Sequence, residues 1–384
     1  MMHEGTVPDH WLKAPDGMPR ARAFGLPLRG QPGPLNAITD VDGVEVGMTT
    51  LNEDRDGKAI RTGVTAILPR GKAGTGASCA AAVHSFNGNG EMTGFSWIEE
   101  SGSFSQPIAI TNSHSIGAAH EGLIRWMVAN RPDVARQWML PVAAETYDGF
   151  MSDINGVHVR PEHVIAALDG ASAGPVAEGS YGGGTGMVCY GFKGGNGTAS
   201  RQVELGGKTY TVGVFLQTNF GSREELTVTG TWLGDILKDN NPLEDLVRSG
   251  EALEGAGSCI GIVATDAPLM PTQLKAMARR VPLGLARTGT TGSHFSGDIF
   301  LAFSTANAGV LDSRIPDADP AAGTPRAFDI LPWPAMNGLY EATVLATEEA
   351  VLNALIANRP MVGKGGLAMP AFPHAALAEH VTRR

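Results

Sequence analysis

The chain has 384 residues, 42% of them hydrophobic, and a formal net charge of −10. That is apolar material for one large core or two ordinary ones. An acidic balance with no basic block argues against nucleic acid as a partner; it also suits attraction of cationic amines, though most such balances only reflect solubility. Three cysteines, Cys79, Cys189 and Cys259, cannot pair completely and match no zinc spacing, so the expectation is a reducing, cytoplasmic setting without a metal. The N-terminus lacks an apolar signal core and no apolar run approaches ~18 residues, so neither export nor membrane insertion is expected.

Residues 1–33 are polar and rich in Pro and Gly, and read as an arm laid over the surface. Asn36 to Val41 reads as a strand, followed by an Asp42-Gly43 turn, a second extended piece at Val44–Gly47 and a buried strand at Gly63–Leu68. Helices are expected over Gly117–Ala129 and over Pro161–Leu168, where Pro takes a first helical position. A hairpin follows: Thr198–Leu205, the turn Gly206-Gly207, and Lys208–Thr218, with Tyr210, Val212, Val214 and Leu216 on one face and Asn219 at the end. The polar, acidic stretch Lys238–Glu254 ends at Gly255-Ala256-Gly257-Ser258, where the apolar run Cys259–Ala264 begins a strand. Then come a helix over Pro271–Arg280, a small-residue loop at Thr288–Gly292, a strand over Asp298–Phe303, and a helix over Ala335–Ala357 with an acidic face at Glu341, Glu348 and Glu349. Uneven alternation with hairpins favours antiparallel sheets packed with helices.

No phosphate loop or HExxH zinc signature occurs, and the ten histidines show no ligand spacing. The run Tyr181–Gly186 reads as tight turns packed near a sheet rather than a dinucleotide loop. The junction Gly257–Ser258 carries more chemistry. If that bond breaks, by attack of Oγ on the Gly257 carbonyl and hydrolysis of the ester, Ser258 holds both a hydroxyl nucleophile and an α-amine. Such an amine has an intrinsic pKa of about 7.7–8.0, suited to taking the hydroxyl proton. Glycine before it permits a strained conformation that a Cβ would block. Cys259 points opposite to Ser258 and reads as core. His294 with Asp298 and Ser258 offers a rival triad. Ser296 and Asp298, at i and i+2, share a face where the strand extends back to Ser296, and can then orient an amine by charge-assisted hydrogen bonds.

The segments Asn36–Gly47, Ile110–Gly117, Gly184–Gly186 with Phe192–Gly195 and Gly197–Arg201, Gly257-Ser258 and Tyr340–Leu355 together resemble the DmpA-like family of self-processing aminopeptidases. That family takes in L-aminopeptidase/D-Ala-esterase/amidases and β-peptidyl aminopeptidases, and the resemblance runs from about Gly33 to Pro370. It implies an α+β fold, a four-layer αββα sandwich layered like N-terminal-nucleophile hydrolases but differently connected. It implies one catalytic domain, cut at Gly257–Ser258 into chains 1–257 and 258–384 that stay associated, commonly as a tetramer of heterodimers.

Roles follow position by position. Ser258 matches the nucleophile and, through its freed amine, the base; Asn219 matches the oxyanion donor. Ser296 and Asp298 match the pair that positions the amine, with Asp298 standing where some relatives have Glu. Glu145 and Tyr147 match residues lining the cleft, Glu145 holding the ammonium of a small peptide or amino-acid amide. No metal or organic cofactor is implied. The alternatives are an acyltransferase of the ornithine acetyltransferase type, where threonine is the expected nucleophile, and an uncleaved binding protein on the same scaffold.

Overall fold

The computed structural model describes residues 7–252, 255–313 and 323–381. Residues 1–6 of the N-terminal stretch, and Leu253 and Glu254 ahead of the junction, lie outside the described residues. The strands in chain order are β1 (Glu45–Arg55), β2 (Lys58–Leu68), β3 (Cys79–Ser85), β4 (Ser103–Phe104), β5 (Ile108–Asn112), β6 (Val142–Thr146), β7 (Val188–Cys189), β8 (Phe192–Lys193), β9 (Gly195–Leu205), β10 (Lys208–Asn219), β11 (Thr227–Val228), β12 (Thr231–Trp232), β13 (Gly257–Thr265), β14 (Ser296–Ser304), β15 (Met361–Val362) and β16 (Ala368–Met369). The helices used below are α1 (Ile116–Asn130), α2 (Pro161–Asp169), α3 (Pro242–Ser249), α4 (Pro271–Ala278), α5 (Val281–Ala286) and α6 (Met336–Ile356).

Two sheets face each other. One has the order β1-β2-β5-β6, the other β4-β3-β14-β13-β10-β9. Three apolar layers follow from strand alternation. Ile67, Ile108 and Ile110 of the first sheet meet Phe215, Ile260, Ile262 and Leu301 of the second between the sheets. On the outer face of the first sheet, Val64 and Ala109 meet Leu123 and Met127 of α1 and Val164 of α2. On the outer face of the second, Val212, Val214, Cys259, Val263 and Phe300 meet Leu274, Val281 and Leu339 of α4, α5 and α6. The expected αββα layering is therefore present, and each sheet contains one parallel pair, β5 with β6 and β13 with β14. A parallel pair needs a crossover; α1 supplies it in the first sheet, and α4 and α5 supply it in the second.

Several expectations are corrected. Asn36–Val41 is not a strand but holds a 3-10 turn at Ile38–Asp40. The Asp40 carboxylate takes the Leu35 and Ala37 N–H groups at 2.8 and 3.1 Å, bonds a strand would have sent to a neighbour. The N-terminal arm does not merely lie on the surface. Arg20 is buried, pairs with Glu178 at 2.7 Å and donates to the Thr198 carbonyl at 2.9 Å. The polar stretch before the junction contains α3, opened by Pro242. Glu348 and Glu349 are buried, so α6 has no solvated acidic face there: Glu349 binds Arg22 at 2.7 Å and Arg201 at 2.6 Å.

Candidate active site

Strand register assembles the junction. β10 runs antiparallel to β13 and places Asn219 opposite Ser258; β14 runs parallel to β13 and places Ser296 beside Gly257 and Asp298 beside Cys259. Paired residues point to the same face. Asn219 and Ser258 thus face the space between the sheets, in step with Phe215 and Ile260, whereas Ser296, Asp298 and Cys259 face the helical side, in step with Phe300.

Ser258 is 2% exposed at the end of that intersheet layer. Two donors meet its Oγ, the Tyr147 backbone N–H and Asn219 Nδ2, each at 3.1 Å. Asn219 is fixed at both ends of its amide: Oδ1 accepts the Val188 N–H at 2.9 Å, and Nδ2 also donates to the Tyr147 carbonyl at 2.9 Å. Its orientation is therefore set by the network, with the NH₂ toward Ser258. Two converging donors beside a hydroxyl match the arrangement that stabilises an oxyanion when that oxygen attacks a carbonyl.

On the other face Ser296 Oγ donates to Asp298 Oδ1 at 2.7 Å. Burial pushes the Asp298 carboxyl up to about 6, with the Ser296 hydroxyl and the Cys259 N–H offsetting only part of that. The pair addresses the backbone of residues 257–259, where a freed Ser258 amine would lie, and not Ser258 Oγ. The rival triad fails on the same parity: Asp298 faces away from Ser258 Oγ, and His294 is exposed with its ring 5.1 Å from that of Phe295. Cys259 is buried as expected and burial holds its thiol protonated.

Gly257 is required for space rather than strain. It is not among the positive-φ glycines, and a Cβ there would meet the Asn219 carbonyl at 2.7 Å and Ser296 Oγ at 3.1 Å. The Tyr181–Gly186 run is turn structure as expected, with a 3-10 turn at Gly182–Gly184 buried against the sheets.

The junction opens into a cleft of about 520 Å³ lined by Glu91, Glu145, Tyr147, Phe150, Ser258 and Phe295, among others. Glu145 is 6% exposed, and burial raises its carboxyl above the ordinary range. It is held by the Ser113 hydroxyl and, at 2.9 Å, by the Glu91 N–H; His114 favours its charged form from a distance, but no ion pair with Glu145 forms among the described residues. A buried carboxylate that forms no ion pair and lines a cleft has the chemistry to accept an ammonium. Another cavity of about 470 Å³, at Arg61, Tyr181 and Arg359, has its guanidiniums already paired with Asp54 and Asp16. Among the described residues no cluster of His, Cys, Asp and Glu is arranged to hold a metal ion.

The structure thus brings Asn219, Tyr147, Glu145 and Ser258 to one cleft and sets Ser296 and Asp298 behind its floor. Sequence reasoning missed Ser113, Phe150, Phe295 and the backbone N–H groups of Glu91 and Tyr147. One signal was available for Ser113: it directly follows β5, whose parallel neighbour β6 carries Glu145, and ligands gather beyond the carboxyl ends of parallel strands.

The model of peptidase family S58 matches residues 36–369. The beta-peptidyl aminopeptidase BapA of Sphingosinicella microcystinivorans is 45% identical over 94% of this chain and 91% of its own length. The structure of the L-aminopeptidase D-Ala-esterase/amidase from Ochrobactrum anthropi, described as a variant of the Ntn hydrolase fold, matches with a TM-score of 0.85 and 45% identity, covering 94% of this chain and 98% of the other. A Burkholderia sp. beta-aminopeptidase matches with a TM-score of 0.84 and 42% identity over 95% and 100%. With its layers, its cleft and these relatives in agreement, the chain belongs to peptidase family S58, as an aminopeptidase on a variant of the N-terminal-nucleophile hydrolase fold.

Proposed function

We propose that the chain cuts itself at Gly257–Ser258 and that the freed Ser258 is the nucleophile of the aminopeptidase. The observation that carries the reading is the position of Ser258 Oγ, between the Tyr147 N–H and Asn219 Nδ2 on the floor of a cleft that also holds the unpaired Glu145. A substrate with a free ammonium is anchored at Glu145. Ser258 Oγ attacks the first carbonyl carbon and its α-amine takes the hydroxyl proton. The negative charge forms on the carbonyl oxygen, facing the Tyr147 N–H and Asn219 Nδ2. The C–N bond breaks, the leaving amine carries away that proton, and water hydrolyses the remaining ester. Ser296 and Asp298 hold the α-amine from behind.

The substrate class is a short peptide, amide or ester with an N-terminal β-amino acid, L-amino acid or D-alanine, the range the relatives' names span. Free, buried Cys79, Cys189 and Cys259 support a cytoplasmic setting. Assembly as a tetramer of cleaved heterodimers is part of the same reading.

The test is the denatured mass of purified protein, with Edman sequencing of the smaller fragment and a panel of β-alanyl, L-alanyl and D-alanyl p-nitroanilides. Two fragments beginning at Met1 and Ser258, and a Ser258→Ala chain that stays whole and inactive, are expected. A fully active protein with an intact Gly257–Ser258 bond overturns the reading.

A further inference from the structure

Lys193 has no part in the chemistry above, yet it is completely buried in the sequence Phe192-Lys193-Gly194-Gly195. Among the described residues no carboxylate pairs with it, and burial pushes its ammonium down to about 7. The nearby Cys189 gives little help, since burial raises that thiol to about 12 and keeps it neutral. An unpaired ammonium in a protein interior is expensive. A methionine of similar length would fill the space without that cost, so packing does not account for a lysine.

The partners of its Nζ are informative. It donates to the Met187 carbonyl and, at 3.2 Å, to the Gly194 carbonyl. The Met187–Val188 peptide that receives the ammonium at its oxygen donates its N–H to Asn219 Oδ1 at 2.9 Å. Asn219 in turn donates from Nδ2 to Ser258 Oγ at 3.1 Å. The chain of dipoles is unbroken from Nζ, through one peptide and one carboxamide, to the nucleophile. A cation at a carbonyl oxygen makes the same peptide's N–H a stronger donor. A stronger donor at Oδ1 then makes the Asn219 NH₂ a stronger donor in its turn, by the cooperative polarisation of linked hydrogen bonds.

The local fold is built to hold this alignment. β7 and β8 form a two-residue hairpin that pairs Val188 with Lys193. Its turn residues, Tyr190 and Gly191, have φ of 52° and 66°, the conformation of a type I′ turn. A non-glycine residue is kept there by its surroundings: Arg223 Nε donates to the Tyr190 carbonyl at 2.7 Å, and the Tyr190 hydroxyl meets Thr288 Oγ1 at 2.8 Å. Asn358 Nδ2 fixes the Gly194 carbonyl at 2.7 Å, and the Lys193 N–H reaches the Pro370 carbonyl at 2.8 Å.

We propose that Lys193 is a positioning residue of the oxyanion site, whose ammonium polarises the Met187–Val188 peptide and through it the Asn219 carboxamide facing Ser258. The inference rests on the reading of Asn219 as oxyanion donor. It acts on both tetrahedral intermediates and leaves substrate anchoring at Glu145 alone.

A double-mutant cycle tests it. The four proteins are the parent, Lys193→Met, Asn219→Ala and the double variant, assayed on an alanyl p-nitroanilide with rates expressed per cleaved chain. Lys193→Met is expected to lower kcat roughly tenfold, a part of the ~10²–10³ a whole oxyanion donor is worth, with KM nearly unchanged. In the Asn219→Ala background the same substitution should cost nothing further, because the relay ends at the missing amide. Equal losses in both backgrounds, a loss confined to KM, or a parent-like kcat for Lys193→Met each overturn the relay. A parent-like kcat for Asn219→Ala overturns the underlying reading instead, so the two failures are told apart. If Lys193→Met does not fold or mature, Lys193→Gln, which keeps a donor but no charge, goes through the same cycle; a parent-like kcat there shows that charge is not needed and overturns the proposal.

Discussion

Two sets of buried carboxylates in this molecule live under opposite rules. Glu349, at the helical side, is held by two of the chain's own cations, Arg22 at 2.7 Å and Arg201 at 2.6 Å, and by the neutral Asn36 amide at 2.6 Å. Burial alone would raise its carboxyl, but Arg201 and Arg22 outweigh it and hold it at about 2. Glu145 and Asp298, at the junction, have hydroxyl and N–H donors and no ion-pair partner among the described residues, and burial wins in both, even though His114 acts on Glu145. The first carboxylate is complete as the chain folds. On the proposed function the other two are completed by an ammonium, from substrate at Glu145 and from a freed Ser258 amine at Asp298. Unfinished electrostatics thus mark the cleft at the junction, and finished electrostatics mark the framework.

The contrast breaks most visibly at Glu349. Glu349→Gln leaves buried Arg201 and half-buried Arg22 without their anion, and urea unfolding should show a loss of about 3–5 kcal/mol. Turnover per folded molecule should be unchanged. A parent-like urea midpoint would remove Glu349 from the framework.

Asp298 should behave in the reverse sense. Its carboxyl is raised from 3.8 to about 6, so between those values the folded chain holds a proton that the unfolded chain has released. Stability therefore falls as pH rises through that window. In an uncleaved Ser258→Ala background, adding Asp298→Asn should raise stability at neutral pH by an amount of order 3 kcal/mol, and by almost nothing below about pH 4. In the cleaved protein the gain should shrink, because the Ser258 ammonium then pairs with Asp298. Equal gains in cleaved and uncleaved protein would separate Asp298 from the amine.

Much of this architecture was legible in the sequence, and the misses share a cause. The hairpin of β9 and β10, the helices α1, α2 and α6 and the strands β13 and β14 all announced themselves by period and turn residues, with ends off by a few positions. The site was legible only once distant short motifs were taken together, since register, not sequence spacing, sets Asn219 against Ser258 and Asp298 behind it. What failed was any statement that depended on a remote partner. Asn36–Val41 has strand composition, but the Asp40 side chain captures its backbone. Glu349 looks like a surface acid until Arg22 and Arg201 arrive from elsewhere in the chain. Gly257 suggests strain, yet it is the Asn219 carbonyl that leaves no room for a Cβ.

At the substrate end of the comparison, Glu145→Gln keeps the shape and removes the charge. A charge-assisted bond is worth about 1.5–3 kcal/mol, so KM for an amino-acid anilide should rise roughly 10- to 100-fold with kcat little altered. Stability should not fall, since the substitution removes a buried charge without stranding a cation. An unchanged KM would show that the substrate ammonium is held elsewhere.

Ser113 gives the finest cut. Its hydroxyl and the Glu91 N–H are the two donors that offset the burial of Glu145, so Ser113→Ala removes one of them and leaves the carboxyl to ionise at a higher pH. The binding-competent form is the carboxylate, and KM rises as pH falls through the carboxyl's raised value. In the variant that acid limb should move to higher pH, and KM at neutral pH should rise about 2- to 10-fold, the worth of one net hydrogen bond. The value of kcat should stay put, because neither Ser113 nor Glu145 touches Ser258 Oγ. A rise in KM of the same size at every pH would instead mean that Ser113 shapes the cleft without setting the charge state of Glu145.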